Sequence, residues 1–236
     1  MRVHSCFSLG YGILKPEELV AWALQYGHQQ LLLTDINHTG SGLAFVRAAQ
    51  EQGLEPMLGL ELRNGFTHVA TLIARNNKGF QELNAFLTQH LLTAKDFTLP
   101  LPPFANCWVW YPLQQHPALL KEHEFIAVQA SQIIQWQRQK QAFDPHKYVA
   151  DIPMSFRHKR DHNTHRLLRA ISNNCLLSKL PAQEQAPPTE RLLTAAQYSN
   201  VFAVAPTLFT RTQALLSNCT ITFEFGEAAA PQQPHS

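Results

Sequence analysis

The sequence predicts an α/β fold, a closed or nearly closed β/α barrel, with an open doubly wound sheet as the alternative. Two observations carry this. Residues 31–62 form a β-α-β unit: an apolar run Leu31–Thr34, a helical period through Leu43, Val46 and Ala49, a cap glycine at Gly53, and a second apolar run Met57–Leu62. About seven short apolar runs alternate with helical patterns along the chain. No glycine-rich phosphate loop follows any strand, so nucleotide binding by that route has no support.

In chain order, Val3–Ser8 reads as a strand, followed by a loop through Gly10 and Gly12. Pro16 takes a helix N1 position, with Glu17 and Glu18 in the first turn where the macrodipole favours acids. Leu19, Val20, Trp22, Ala23 and Tyr26 form the buried stripe, and Gly27 ends the helix. The central unit follows, with Asp35 to Gly42 as its polar turn. Asn64-Gly65 is a tight-turn signal leading into the strand His68–Ala74. A helix then starts at Asn76–Lys78 and places Phe80, Leu83, Phe86, Leu87 and His90 on one side. Pro100–Pro103 breaks the chain into loop.

Cys107–Tyr111 and Phe125–Val128 are strands, joined through a loop at Pro112–Glu122. A glutamine-rich exposed helix through Ile133, Ile134 and Trp136 ends near Phe143, and Tyr148–Ile152 is a further strand. Asn163–Leu177 is a strong helix and Leu180–Pro188 a proline-rich loop. Helical segments cover Glu190–Tyr198 and Val201–Ser217, and Thr220–Phe225 is a last β-like run. Residues 1–225 are expected to form one domain, and 226–236 a disordered tail or the start of a linker.

Composition narrows the function classes. A net charge of +2 gives no general electrostatic case for nucleic acid or membranes. The four cysteines, Cys6, Cys107, Cys175 and Cys219, show no CxxC spacing and read as reduced thiols of a cytoplasmic protein. No run approaches transmembrane length. The 12 histidines raise the question of metal.

Acidic and imidazole groups stand where a barrel collects its ligands, at the carboxyl ends of the strands. His4, Asp35 and Glu61 follow or end three successive strands and are the candidate ligands for one or two divalent ions. The alternative is structural: His4 bonded to backbone, Asp35 capping its turn and Glu61 facing solvent. Spacing alone favours that alternative.

The run HSCFSLGYGILKPEELVAWALQYG, then LLLTDINHTGSGLAFVRAAQEQGLEPMLGLELRNG and TLIARNNKGFQELNAFL, resembles the polymerase-and-histidinol-phosphatase (PHP) domain of the bacterial DNA polymerase III alpha subunit, in its shorter branch. The similarity resumes at DHNTHRLLRAISNNCLLSKL and continues weakly to about Phe225. It implies a distorted seven-stranded, TIM-like β/α barrel. Active members of the family hold metal ions through a His-x-His pair, an Asp-His pair, a Glu, further histidines and a late Asp-x-His. Here the first pair reads Arg2-Val3-His4, a loop ligand falls near Tyr11, the second pair reads Asp35-Ile36, and the late pair falls on Pro153 and Ser155. His4, Asp35 and Glu61 are the remnant positions. The resemblance therefore implies a degenerate site, with Arg2 paired to Glu61 or Asp35 and at most a residual zinc or manganese ion. His38 reads as a loop residue. A metal-dependent phosphoesterase or 3′–5′ exonuclease with a reduced ligand set is the alternative, and a free-standing binding module a third reading.

A second feature is Phe156–Arg166, where Arg157, Lys159 and Arg160 are candidates for contact with phosphate or an acidic partner. A solvated loop and helix start, with Asp161 as N-cap, is the alternative that the low overall charge favours. The implied role is scaffold. The expected partners are a polymerase module of the same parent chain, a proofreading exonuclease, and DNA through the parent complex. Magnesium is expected only in the polymerase module, whose carboxylates this sequence lacks.

Overall fold

A computed structural model describes residues 2–93, 95–139 and 143–226. The expected tail at 226–236 lies outside these apart from Gly226, as do the last residues of the glutamine-rich helix. One sheet of eight strands organises the chain, in the order β7-β6-β5-β4-β3-β2-β1-β8. The strands are β1 (Arg2–Val3), β2 (Gln30–Ile36), β3 (Glu55–Asn64), β4 (Thr67–Ala74), β5 (Cys107–Pro112), β6 (Glu124–Gln129), β7 (Tyr148–Asp151) and β8 (Pro153–Met154). Every strand from β1 to β7 lies beside its sequence neighbours. No order reversal occurs, and this rules out the doubly wound alternative.

The two sheet edges are continuous in the chain. β7 pairs with β6, and β8 pairs with β1, with only Ile152 between them. The Ile152 carbonyl accepts from the Arg2 backbone N–H at 3.5 Å. β7 and β8 are thus two halves of one bent seventh strand, and the barrel is nearly closed. The central unit is parallel as predicted, with Leu32 opposite Met57 and Ile36 opposite Glu61. Asn64-Gly65 turns the chain back, so β4 runs antiparallel to both β3 and β5.

Side-chain alternation separates two cores. Leu31, Leu33, Leu58, Leu60 and Leu62 face outward and pack under the helices α1 (Pro16–Gln25), α2 (Gly42–Gln52) and α3 (Asn77–Thr93). Leu32, Met57, Ile73, Trp110, Phe125 and Val149 face the barrel interior and form a second cluster. Leu216 of the helix α7 (Pro206–Leu216) joins that cluster. The interior also needs a residue without a side chain. A Cβ on Gly59 would stand 2.5 Å from the Leu72 carbonyl oxygen and 2.9 Å from Thr34 Cγ2.

Several predicted elements differ. The first strand is two residues long, because the backbone past Val3 turns toward the loop closed by the Gly12 N–H and Ser8 carbonyl. The helix predicted over Asn163–Leu177 is α5 (Lys159–Ser172), beyond the short helix α4 (Ile133–Gln139). Asp161 is not its N-cap: His158 holds that position and accepts from the Asp161 N–H. α5 stops early because Asn174 is left-handed (φ 46°) and Cys175 closes the end on the Ala170 carbonyl. Helix α6 covers only Ala195–Asn200, because residues 190–192 bond as extended chain to Ser155 and Phe156. Pro206 delays the start of α7. Thr220–Phe225 makes no ladder. Phe223 and Phe225 instead pack against the outer core, and Thr220 bonds to the Arg75 carbonyl.

Gly59→Ala is expected to lower stability by about 1–3 kcal/mol through overpacking. The drop in urea midpoint measures this.

Candidate functional site: the ionic mouth of the barrel

The inward alternation that buries Leu32, Met57 and Val149 puts charges at the other end of the same interior. Arg2 and His4 flank Val3, Glu61 lies four residues beyond Met57, and Asp151 two beyond Val149. All four are buried. The Arg2 guanidinium forms a fork with Asp151: Nε donates to Oδ1 at 2.9 Å and Nη2 to Oδ2 at 2.9 Å. Its Nη1 donates to Glu61 Oε2. Glu61 Oε1 accepts from Arg63 Nε, and His4 Nε2 lies 3.0 Å from Oε2. Two guanidiniums thus face two carboxylates, and the cluster is electrically balanced. Bidentate geometry of this kind is what lets a buried arginine offset its desolvation.

His4 stays neutral beside them. Burial lowers its pKa well below the usual value, and the Arg2 and Arg63 charges lower it further. Its Nε2–H donates to Glu61, and Nδ1 is buried without a hydrogen-bond partner. Desolvation raises the Asp151 carboxyl, but the Arg2 charge and hydrogen bonds more than reverse this and leave its pKa below the ordinary value. His68, at the start of β4, accepts from Thr71 Oγ1 at 2.9 Å and is lowered to about 3, mainly by burial. Tyr11 seats its ring under the Arg63 guanidinium, 4.5 Å from the ring centre, with His4 and His165 at its edges.

The structure brings together two of the three predicted positions, His4 and Glu61, and leaves Asp35 out. Asp35 ties the β1–α1 loop. Its Oδ1 accepts from the Ser5 N–H at 2.6 Å and Ser8 Oγ at 2.8 Å, while Oδ2 accepts from Ser5 Oγ at 2.6 Å and from Ser41 Oγ. Arg2 accordingly pairs with Glu61 and Asp151, not Asp35. Asp151, Arg63 and His68 are the members that sequence reasoning missed. Two of them carried a signal: Arg63 shares the Glu61 face by strand alternation, and Asp151 is an acid at the carboxyl end of a predicted strand. His68 needed the hairpin register, which sets it opposite Arg63. His38 is a loop residue whose Nδ1 accepts from Gly40.

Arg157, Lys159 and Arg160 do not converge on this mouth. Arg157 is occupied by Asp161, through Nε at 2.8 Å and Nη2 at 3.2 Å. Lys159 and Arg160 are exposed on the first turn of α5. Another α5 residue, His165, is fully buried. The Ala186 N–H donates to its Nε2 at 2.9 Å, so Nδ1 carries the proton and donates to the Tyr11 carbonyl at 2.8 Å. Burial lowers its pKa to about 4.

The fold and mouth define a nearly closed β/α barrel whose strand ends gather ionisable groups. The family profile described as the PHP domain matches residues 1–130, more than half of the chain, and the chain belongs to that family. An error-prone DNA polymerase of Symbiobacterium thermophilum is 35% identical over 105 residues, covering 44% of this chain and 10% of the relative. A DNA polymerase III subunit alpha of Buchnera aphidicola is 32% identical over 90 residues, covering 35% and 8%. The matched stretch is thus at most about a tenth of these relatives' own length. An amidohydrolase from Chromobacterium violaceum aligns over 74% of this chain and 83% of its own, at 16% identity and a TM-score of 0.32. Among the described residues, no helix is long and apolar enough to cross a membrane.

Arg2→Ala leaves two buried carboxylates short of a partner and is expected to cost about 3–5 kcal/mol. Arg2→Lys recovers only part of this, because an ammonium cannot fork. Chemical denaturation of the three proteins measures the order. Acid weakens the fold through a separate route. The folded state keeps His165, His68 and His4 neutral, while in the unfolded chain such groups protonate near pH 6.5. The unfolded state therefore binds more protons as pH falls, and stability drops below pH 6.5, down to about 4 for His165 and about 3 for His68. Each ring contributes about 1.4 kcal/mol per pH unit within its window. Unfolding free energies measured between pH 7 and 4.5 should show a slope above one proton.

Proposed function

We propose that this PHP domain is a non-catalytic structural and interaction domain of a DNA-replication polymerase, with a degenerate metal site. The fork between Arg2 and Asp151, extended to Glu61, carries the reading. A hydrolytic metal centre needs free anionic and imidazole ligands to hold its ions and generate a bound hydroxide. Here a guanidinium takes up both carboxylates. A like charge at about 4 Å opposes a cation by about 4 kcal/mol per unit charge at an effective dielectric near 20. Among the described residues, no group of three or more His, Cys, Asp or Glu side chains is disposed to hold a metal ion. The residues present do not fit the cluster of an active member.

The likeness to polymerase chains supports the replication setting, with a polymerase module as the partner and a proofreading exonuclease as a further one. The outer face of α5 supports the interaction role. Leu167 and Ile171 lie one turn apart and are 52% and 67% exposed, an apolar stripe suited to being covered.

Elemental analysis of the purified protein after dialysis tests the metal part. The expected result is zinc and manganese far below one equivalent, with no hydrolysis of a model phosphodiester when manganese is added. Stoichiometric metal, or manganese-dependent hydrolysis abolished by Glu61→Ala, overturns it.

A further inference from the structure

Away from the mouth, charge is unevenly placed along the chain. Between Arg157 and Lys179 there are six lysine or arginine side chains and one acid, Asp161, although the whole chain carries a net charge of only +2. This stretch is α5 and the turn after it. Ion pairs use part of the excess: Arg157 holds Asp161, and Arg169 holds Glu184. Among the described residues, Lys159, Arg160, Arg166 and Lys179 have no carboxylate within ion-pair distance. Lys159 and Arg160 stand in the first turn of α5, where the helix dipole opposes a positive charge. Among the described residues neither side chain makes a hydrogen bond that would offset this.

The same helix presents a stripe to the outside. Asp161 and His165 mark its buried side. On the opposite side Arg160, Thr164, Leu167 and Ile171 recur at intervals of four, three and four residues, and all are exposed. Intervals of three and four are those at which one helix packs along another. Thr164 turns its hydroxyl onto the Arg160 carbonyl at 3.2 Å, so its polar atom is satisfied within the helix. Leu176 and Leu177, just past the helix end, are exposed as well.

We propose that the outer face of α5 docks an acidic amphipathic helix of a partner protein, with its apolar residues on Leu167 and Ile171 and its carboxylates against Lys159 and Arg160. This deepens the interaction role given above and rests on it. Charge complementarity selects the occupant. A nucleic-acid backbone would pair with the cations but set Leu167 and Ile171 against phosphate. A second copy of this surface would set unpaired cations against unpaired cations. A lipid surface needs a broader apolar face than one stripe. An acidic helix brings carboxylates and apolar side chains together at the matching spacing.

The test is fluorescence anisotropy of the full chain with three dye-tagged, helix-forming peptides. One has leucines spaced three and four residues apart with glutamates beside them, one has lysines in place of the glutamates, and one has alanines in place of the leucines. The first should bind, and the other two should bind at least about tenfold more weakly. Ile171→Glu, at an exposed position, should weaken the first peptide by a similar factor while the circular dichroism spectrum and melting midpoint stay unchanged. The double variant Lys159→Glu/Arg160→Glu should reverse the preference, so that the lysine peptide binds better than the glutamate one. A merely structural role for the two cations cannot produce that reversal. Equal binding of the three peptides, or none at millimolar concentration, overturns the proposal. Tighter binding of oligothymidylate or of phosphatidylglycerol vesicles that survives Ile171→Glu also overturns it and assigns the cations to phosphate. Self-association that Ile171→Glu abolishes overturns it in favour of a second copy. Failure of the peptides on metal-free protein removes this surface assignment alone, whereas stoichiometric metal removes the non-catalytic reading whatever the peptides do.

Discussion

A buried guanidinium has to be paired, and much of the upper barrel follows from how Arg2 meets that requirement. Its fork on Asp151 joins β1 to the end of β7, next to the two-residue ladder that pairs β1 with β8. The side chain therefore reinforces the barrel at the seam where the chain's last strand meets its first. The same group reaches Glu61 on β3, so three strands converge on one charge. Arg63 supplies the second positive charge that balances the two carboxylates.

This arrangement gives the interior a gradient. Its base is apolar, with Trp110, Phe125 and Leu216 packed together, and its mouth is ionic. Neutral histidines complete the mouth because burial disfavours their charged form, and the two arginines beside them oppose it further. His165 shows a different use of the same ring. As donor on one nitrogen and acceptor on the other, it links α5 to the loop at Tyr11 and to the chain at Ala186. Tyr11 then lies between His165, His4 and Arg63, so the loop, the helix and the mouth pack as one unit.

Much of the fold was legible because its signals are local. Gly53 ends α2 in the left-handed conformation, Pro16 starts α1, and Asn64-Gly65 makes the hairpin. Misread segments were those where tertiary contacts override local preference. Residues 190–192 carry a helical pattern but are drawn out as extended chain by Ser155 and Phe156. Thr220–Phe225 alternates like a strand, yet its backbone bonds to the Arg75 carbonyl and the Asn77 side chain at the start of α3. His158 displaces Asp161 as the cap because Arg157 engages that carboxylate. At the site, His4 and Glu61 could be named from strand ends. Asp35 could be named too, but its geometry puts it among three serine hydroxyls rather than in the cluster.

The sequence by itself determined the α/β class, the parallel central unit, the family resemblance and the presence of Arg2 where the family pattern has a histidine. These depend on residue type and on periods of two or a few residues, which a linear chain displays. The tertiary structure decided closure through Ile152 and the choice of Asp151 over Asp35 as the arginine's partner. Those depend on which strand ends meet across the barrel. Arg2 and Asp151 are 149 residues apart, and only the curvature of the sheet brings them within hydrogen-bonding distance.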